Sequence, residues 1–85
     1  MASKVIYTVE ALKDMRKLPA KTRQRILDKV KRYAEAPADI TVKRLKNSRY
    51  LRLRIGDYRV VFAEGEGKVT VVFVDHRRNI YRRLK

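Results

Sequence analysis

The stretch Leu51-Arg52-Leu53-Arg54-Ile55-Gly56-Asp57-Tyr58-Arg59-Val60-Val61-Phe62 decides how this chain folds. Leu51, Leu53 and Ile55 alternate with Arg52 and Arg54, the period of two that marks a strand with one buried face. Gly56-Asp57 then fits a two-residue hairpin loop, because glycine in its first position supplies the positive φ of a type II′ turn. Such a loop pairs Ile55 with Tyr58 and sets Arg54 opposite Arg59. Arg52, Arg54 and Arg59 are therefore expected on one face, with Leu51, Leu53, Ile55, Tyr58, Val60 and Phe62 on the other. Like charges directly opposite each other destabilise a sheet. A chain that keeps them there is expected to offer them to an anion.

The segments on either side continue two different rhythms. Downstream, Glu64-Gly65-Glu66-Gly67 marks a turn into a strand at Val69-Thr70-Val71-Val72-Phe73-Val74. Unbroken alternation puts Val69, Val71 and Phe73 on the apolar face, and Thr70, Val72 and Val74 with the arginines. Asp75 to Lys85 then leave that strand. Upstream, Val42–Leu45 reads as a weak strand, with a turn at Asn47-Ser48. Before it the spacing is helical. Lys4–Tyr7 is a short strand, and Thr8 caps a helix to about Leu18 on which Leu12, Met15 and Leu18 share a face. Pro19 suits the first turn of a second helix, with an apolar stripe of Ile26, Leu27, Val30 and Ala34 bordered by Tyr33. Pro37 ends that helix. The expected fold is α+β: a small antiparallel β-sheet covered on one face by an N-terminal helical hairpin, in the order β-α-α-β-β-β. The opposite face is expected to be a basic floor, and residues 1–85 to form one domain.

Composition narrows the function classes. The chain has 23 Lys+Arg against 9 Asp+Glu, a net charge of +14. The excess is +5 over residues 1–40 and +9 over residues 41–85, where the strands lie. Such density points to nucleic acid or an acidic protein partner. No segment is long and apolar enough for a membrane span, and the first residues lack a secretory apolar region, so a cytoplasmic chain is expected. With one histidine and no cysteine, the usual metal-ligand sets cannot assemble, so neither a metal nor another cofactor is expected. Ser3 and Ser48 have no histidine at an informative spacing, and the Gly65/Gly67 turn is acidic rather than phosphate-binding.

What remains is a set of cations with a few titratable neighbours: Arg52, Arg54, Arg59, Arg77 and Arg78, with Tyr58, His76 and Tyr81 among them. Arginine forks bind phosphate in a bidentate way and stay charged at any working pH. Set on a rigid sheet, they would grip an RNA backbone or stabilise the negative charge growing on a phosphate under attack. Tyr81 offers a ring for stacking or a proton, and His76 a proton near neutral pH. Each has a plainer reading: Tyr58 as core, His76 as a solvated strand end, Tyr81 as a packed ring.

These residues resemble the RelE/ParE superfamily of toxins from bacterial and archaeal toxin–antitoxin pairs. The resemblance covers nearly the whole chain. It is most specific at Gly56-Asp57-Tyr58-Arg59 and at the tail His76-Arg77-Arg78-Asn79-Ile80-Tyr81. It implies a RelE-like toxin: a ribosome-dependent endoribonuclease that cuts messenger RNA without metal, the ribose 2′-hydroxyl attacking its neighbouring phosphate. Under the same resemblance Arg59 contacts the scissile phosphate and Arg77 is the arginine after the last strand. Tyr81 stacks on or protonates the substrate, and His76 belongs to the His-Arg-Arg variant of the tail. Arg52 falls where related toxins carry a lysine proposed for proton transfer. An arginine is a poor base, which leaves the base open between Tyr81, His76 and a ribosomal group. The expected site is Arg52, Arg59 and Arg77 for electrostatic stabilisation, His76 and Tyr81 for proton transfer, and Arg54, Arg78 and Arg82 for substrate binding.

Two other functions fit the same pattern. A ParE-like toxin would poison DNA gyrase through protein contacts, and an inert RNA-binding module would need charge alone. Both toxin readings imply an acidic antitoxin that folds over the helical hairpin and the basic floor. Met15, Leu27 and Tyr33 are its candidate groove contacts.

Overall fold

The chain forms strand β1 (Lys4–Tyr7), helices α1 (Val9–Arg16) and α2 (Ala20–Glu35), and a 3₁₀ turn at Pro37–Asp39. Strands β2 (Val42–Arg44), β3 (Leu51–Ile55), β4 (Tyr58–Gly65) and β5 (Lys68–His76) follow, then helix α3 (Arg77–Arg83). The structure, a computed structural model, describes residues 3–83 apart from the Tyr81 side chain. Thr8 caps α1 as expected: its hydroxyl accepts the Ala11 N–H at 3.1 Å and donates to the Val72 carbonyl at 3.0 Å. Pro19 stands at the cap of α2 and Ala36 ends it before Pro37. Both helices press an apolar face on the sheet, but the stripe is rotated from the expected one. Ala11, Met15, Ile26, Val30, Tyr33 and Ala34 are buried, while Leu12 and Leu27 are 48% and 37% exposed. Tyr33 goes inward because its ring packs on Phe62, 5.0 Å between centroids, while its hydroxyl reaches Glu64 Oε2 at 3.0 Å. A buried tyrosine needs such a partner.

The sheet has five strands in the order β1-β5-β4-β3-β2. It is mixed rather than purely antiparallel, because β1 pairs parallel with β5. The hairpin has the expected register: Ile55 faces Tyr58, Arg54 faces Arg59, and Leu51 faces Phe62. Gly56 takes φ +56°, and Asp57 is not among the residues with positive φ, the signs of a type II′ turn. The next turn holds Glu66 and Gly67 at φ +52° and +73°, the sign pair of a type I′ turn.

One residue alters the expected faces of β5. Phe62 pairs with Val71 but Val61 pairs with Phe73, so Val72 is an extra residue in a β-bulge. Every side chain beyond it changes sides. Val74 joins Val69 and Val71 in the core, and Phe73 turns to the arginine face. The arginine face is also not a bare floor. Val61 and Ile80 are fully buried outside the main apolar cluster, because α3 folds back against β4 and β5. Arg83 lies over the Phe73 ring at 4.4 Å.

Phe62, 1% exposed and set between the helices and three strands, carries the main core. Phe62→Ala is expected to cost ~3–5 kcal/mol, read as a shift of the denaturant midpoint. A folded variant with an unchanged midpoint would show that the core lies elsewhere.

Candidate functional site

The arginine face is built in cross-strand rows. One row runs Lys43, Arg52, Val61, Phe73 across β2 to β5; the next runs Arg54, Arg59, Asp75 across β3 to β5. The register thus brings Arg52, Arg54 and Arg59 together on one face, with Lys43 added from β2. Alternation on β2 was legible, but its pairing partner was not, so Lys43 was missed.

The Gly56–Asp57 turn gathers more of the site. Arg59, only 8% exposed, donates from Nη1 to the Gly56 carbonyl at 2.8 Å and to the Tyr58 carbonyl at 2.9 Å. The Arg77 N–H donates to the Asp57 carbonyl at 2.8 Å, and Arg77 Nε lies 3.9 Å from the Asp57 carboxylate. Lys29 Nζ, from α2, donates to the Arg54 carbonyl at 3.0 Å. Helix α2, the hairpin and the start of α3 therefore meet at one end of the sheet, and each brings cations there.

The tail is distributed unevenly. Arg77 reaches the hairpin end, while Arg78 and Arg82 are exposed on α3. His76 is not brought to the arginine face. The Val72 bulge sets it opposite Tyr58 on the helix-covered side, where the rings meet edge-on at 5.6 Å. Its Nδ1 accepts the Arg78 N–H at 3.2 Å, so the imidazole caps the first turn of α3. Tyr58 is half-buried against the core, which is the plainer of its two readings. Tyr81 follows Arg77 by four residues in α3, and its side chain lies outside the described residues.

Helix α3 is held by an arginine that the sequence reading passed over. Arg83 Nη1 donates to Asp14 Oδ2 at 2.8 Å and to Asp75 Oδ2 at 3.1 Å, with Glu10 at 3.9 Å from Nη2. Asp14 Oδ2 also accepts the Val74 N–H at 3.0 Å, which covers the edge of β5 beyond the end of β1. Burial pushes the Asp75 carboxyl up, but it is outweighed. Hydrogen bonds from the His76 N–H, Asn79 and Arg83, with the Arg83 charge, hold Asp75 below the ordinary aspartate value. Burial likewise lowers Arg83, and its bonds to Asp14 and Asp75 with their charges raise it overall. No signal in the periodicity marks Arg83 out from Arg82; only the fold brings the carboxylates of α1 and β5 to it.

Two grooves flank these elements. A basic one of about 630 Å³ lies between α2, the segment entering β2, and β3. An apolar one of about 290 Å³ lies on the helical hairpin, lined by Tyr7, Leu12, Met15, Arg16, Arg23 and Leu27. Of the expected groove contacts, Leu27 and the buried Met15 line it, and Tyr33 does not. Among the described residues no cluster of His, Asp and Glu is suited to a metal, and no helix is long and apolar enough to cross a membrane.

The same fold occurs in solved toxin structures. A mutant of the E. coli toxin RelE in its free state matches with a TM-score of 0.79 and 23% identity, over 96% of this chain and 93% of that one. The toxin–antitoxin complex RelBE2 from Mycobacterium tuberculosis contains a chain 28% identical, with a TM-score of 0.64 over 91% and 93% of the two chains. The chromosomal ParDE system of P. aeruginosa supplies another at 13% identity and a TM-score of 0.72, over 88% and 96%. No curated protein matches the sequence. Fold and sequence define a type II toxin of the RelE/ParE superfamily. Within it, the profile of the ParE toxin of the type II toxin–antitoxin system parDE matches residues 5–81, and the chain belongs to that family.

The direction of the Asp75 shift fixes a pH dependence. A carboxyl held below its unfolded value of ~3.9 contributes its full stability above that pH and loses it as pH falls through the folded value. Thermal midpoints are expected to drop on acidification below about pH 4. In Asp75→Asn that drop should shrink, with α3 already less protected from hydrogen exchange at neutral pH. Identical acid profiles in the two proteins would remove Asp75 from the anchoring of α3.

Proposed function

We propose that this toxin cleaves RNA, as a metal-independent endoribonuclease acting on messenger RNA at the ribosome. The observation that carries the reading is the placing of Arg54 directly opposite Arg59, with Arg52 on the same face and Arg77 tied to the same turn. Holding like charges in adjacent register costs stability. A phosphate bridging them converts that cost into binding.

The chemistry follows from these groups. The ribose 2′-hydroxyl attacks the adjacent phosphorus in line, the P–O5′ bond breaks, and a 2′,3′-cyclic phosphate and a 5′-hydroxyl result. The proton leaves O2′ and one is delivered to O5′. Charge grows on the non-bridging oxygens as the fifth bond forms, and fixed guanidinium groups stabilise it without reorganising. Arg59 is the best fixed of these, since Gly56 and Tyr58 carbonyls hold its Nη1. Arg52 and Arg77 complete the electrostatic set, and Arg54 with Arg78 and Arg82 on α3 binds the flanking chain. Tyr81, in α3 after Arg77, is the proton-transfer residue. His76, already bonded through Nδ1 to the Arg78 N–H, sets the start of α3 rather than the chemistry.

The family match favours one second reading, gyrase poisoning through protein contacts, because the matching profile is that of ParE toxins. Under either reading the partner is a cognate acidic antitoxin. Its apolar residues would enter the groove at Leu12 and Leu27 and its carboxylates would face the arginines.

Adding the purified chain to a translating extract and mapping new 5′ ends separates the two. Codon-phased cuts support cleavage; intact message with broken DNA supports gyrase poisoning. Arg77→Ala is expected to lower the cleavage rate ~10²–10³-fold, the usual loss for one donor to a developing anion. The Arg77 side chain is 56% exposed and its carboxylate contact is long, so the unfolding midpoint should stay nearly unchanged. Full activity in that variant would overturn the phosphate clamp. Tyr81→Phe should slow cleavage more than it weakens RNA binding, and equal losses would reduce Tyr81 to a packing role.

A further inference from the structure

The groove beside α2 carries cations that the cleavage site does not use. Strand β2 pairs with β3 only from Leu51 to Leu53, so the outer edge of β3 is uncovered at Arg54. Across that edge runs one side of α2, with Arg25, Lys29 and Arg32 at spacings of four and three, one face of a helix. Lys29 Nζ sits on the Arg54 carbonyl, and the Arg25 guanidinium lies 3.8 Å from where a Cβ on Gly56 would stand. The groove lining contains Lys29, Arg32, Lys43, Arg52 and Arg54 against one acid, Asp39.

Resting on the RNA-cleaving reading, we propose that this groove is a second phosphate track. It carries the sugar–phosphate backbone of single-stranded RNA away from the cleaved bond, round the edge of β3 and along α2. Continuity supports this: Arg52 and Arg54 belong both to the arginine face and to the groove. The lining also says how the strand is read. Among the described residues its lining has no aromatic ring to stack a base, and its apolar members are Ile40 and Val42 at the rim of the sheet. Contacts of this kind grip phosphates irrespective of sequence.

An acidic peptide is the rival occupant, and the geometry disfavours it. Protein interfaces draw their binding energy from apolar and aromatic anchors in pockets. Among the described residues the exposed leucines, Leu12 and Leu27, lie in the separate groove on the helical hairpin. The basic track is charge without anchors, the pattern of a backbone-binding surface.

The test uses the full chain and fluorescent single-stranded RNA oligonucleotides, fully 2′-O-methylated so that they cannot be cleaved, in two unrelated sequences. Lys29→Glu/Arg32→Glu is compared with the milder Lys29→Gln/Arg32→Gln, each checked for an unchanged circular dichroism spectrum and melting point. Binding should weaken equally for both sequences. Each lost phosphate contact lowers the slope of log affinity against log salt by ~0.7, so the Gln pair should flatten it by about 1.4. On a cleavable strand, KM should rise while kcat holds. Unchanged slope and affinity in the folded variants would overturn the track, as would loss of binding to poly-glutamate alone. The RNA-cleaving reading fails differently: uncleavable RNA would still bind through the track while the cleavable strand remained intact.

Discussion

The Gly56–Asp57 turn is the constraint on which the remaining arrangement depends. Its two-residue length fixes which side chains of β3 and β4 face the helices, since a slip of one residue would exchange the two faces completely. Its glycine holds φ +56°, a conformation that side chains with a Cβ rarely adopt. Its carbonyls then do further duty. Gly56 receives Arg59 and Asp57 receives the first N–H of α3, so the turn that sets the register also positions Arg59 and the start of α3. Changing the turn would disturb strand pairing, a guanidinium and a helix start together.

Charge economy explains how a +14 chain stays folded. Of its 9 acids, Glu10, Asp14 and Asp75 converge on Arg83 alone. Hydrogen bonds to charged groups contribute ~1.5–3 kcal/mol each when well placed, and the Asp14 and Asp75 bonds are short and partly shielded. They fasten α3 to α1 and β5 over the second small core of Val61 and Ile80. Asp75 stands in register with Arg59, yet its carboxylate is committed to Arg83, Asn79 and the His76 N–H. Glu10, Asp14 and Asp75 thus place their negative charge where it holds α1, β5 and α3 together.

Most of the fold was legible because the local rules agree with one another. The alternation in Leu51–Ile55, the Gly56 turn, the Thr8 cap and Pro37 all point to the observed elements. The errors trace to the Val72 bulge, to α3 and to the rotation of the helical stripes. Nothing in Val69-Thr70-Val71-Val72-Phe73-Val74 distinguishes Val72 as a bulge: it is neither glycine nor proline, and all its neighbours suit a strand. Because parity accumulates along a strand, that residue misassigned Phe73 and Val74 at once, and His76, expected past the strand end, is instead the last residue of β5. The tail was read as a source of arginines. Ile80, the one aliphatic residue that α3 buries, is a single position and gives no period to detect. Leu27 and Tyr33 exchanged places for a similar reason: a stripe of few apolar residues fixes its own edges poorly, and the Glu64 partner for Tyr33 lies far along the chain on β4.

Under the proposed function, the layout separates stability from activity by face rather than by region. One face of the sheet holds the helices and nearly all the apolar core; the other holds the arginines, with α3 covering only the β4–β5 side. A substitution on the first face should be felt as unfolding, and, under the proposed function, one at Arg52 or Arg77 as slower cleavage and one at Arg54 as weaker RNA binding. Arg59 is the exception, since it is buried and braces the turn while offering its charge to the same face. That double role also bears on why one fold can serve toxins with different targets. The core face constrains the sheet and its twist, whereas the identity of the exposed row is free to vary with little effect on packing. A cationic row suits a phosphate, and in this chain the row, the turn and the start of α3 place their cations at the same end of the sheet.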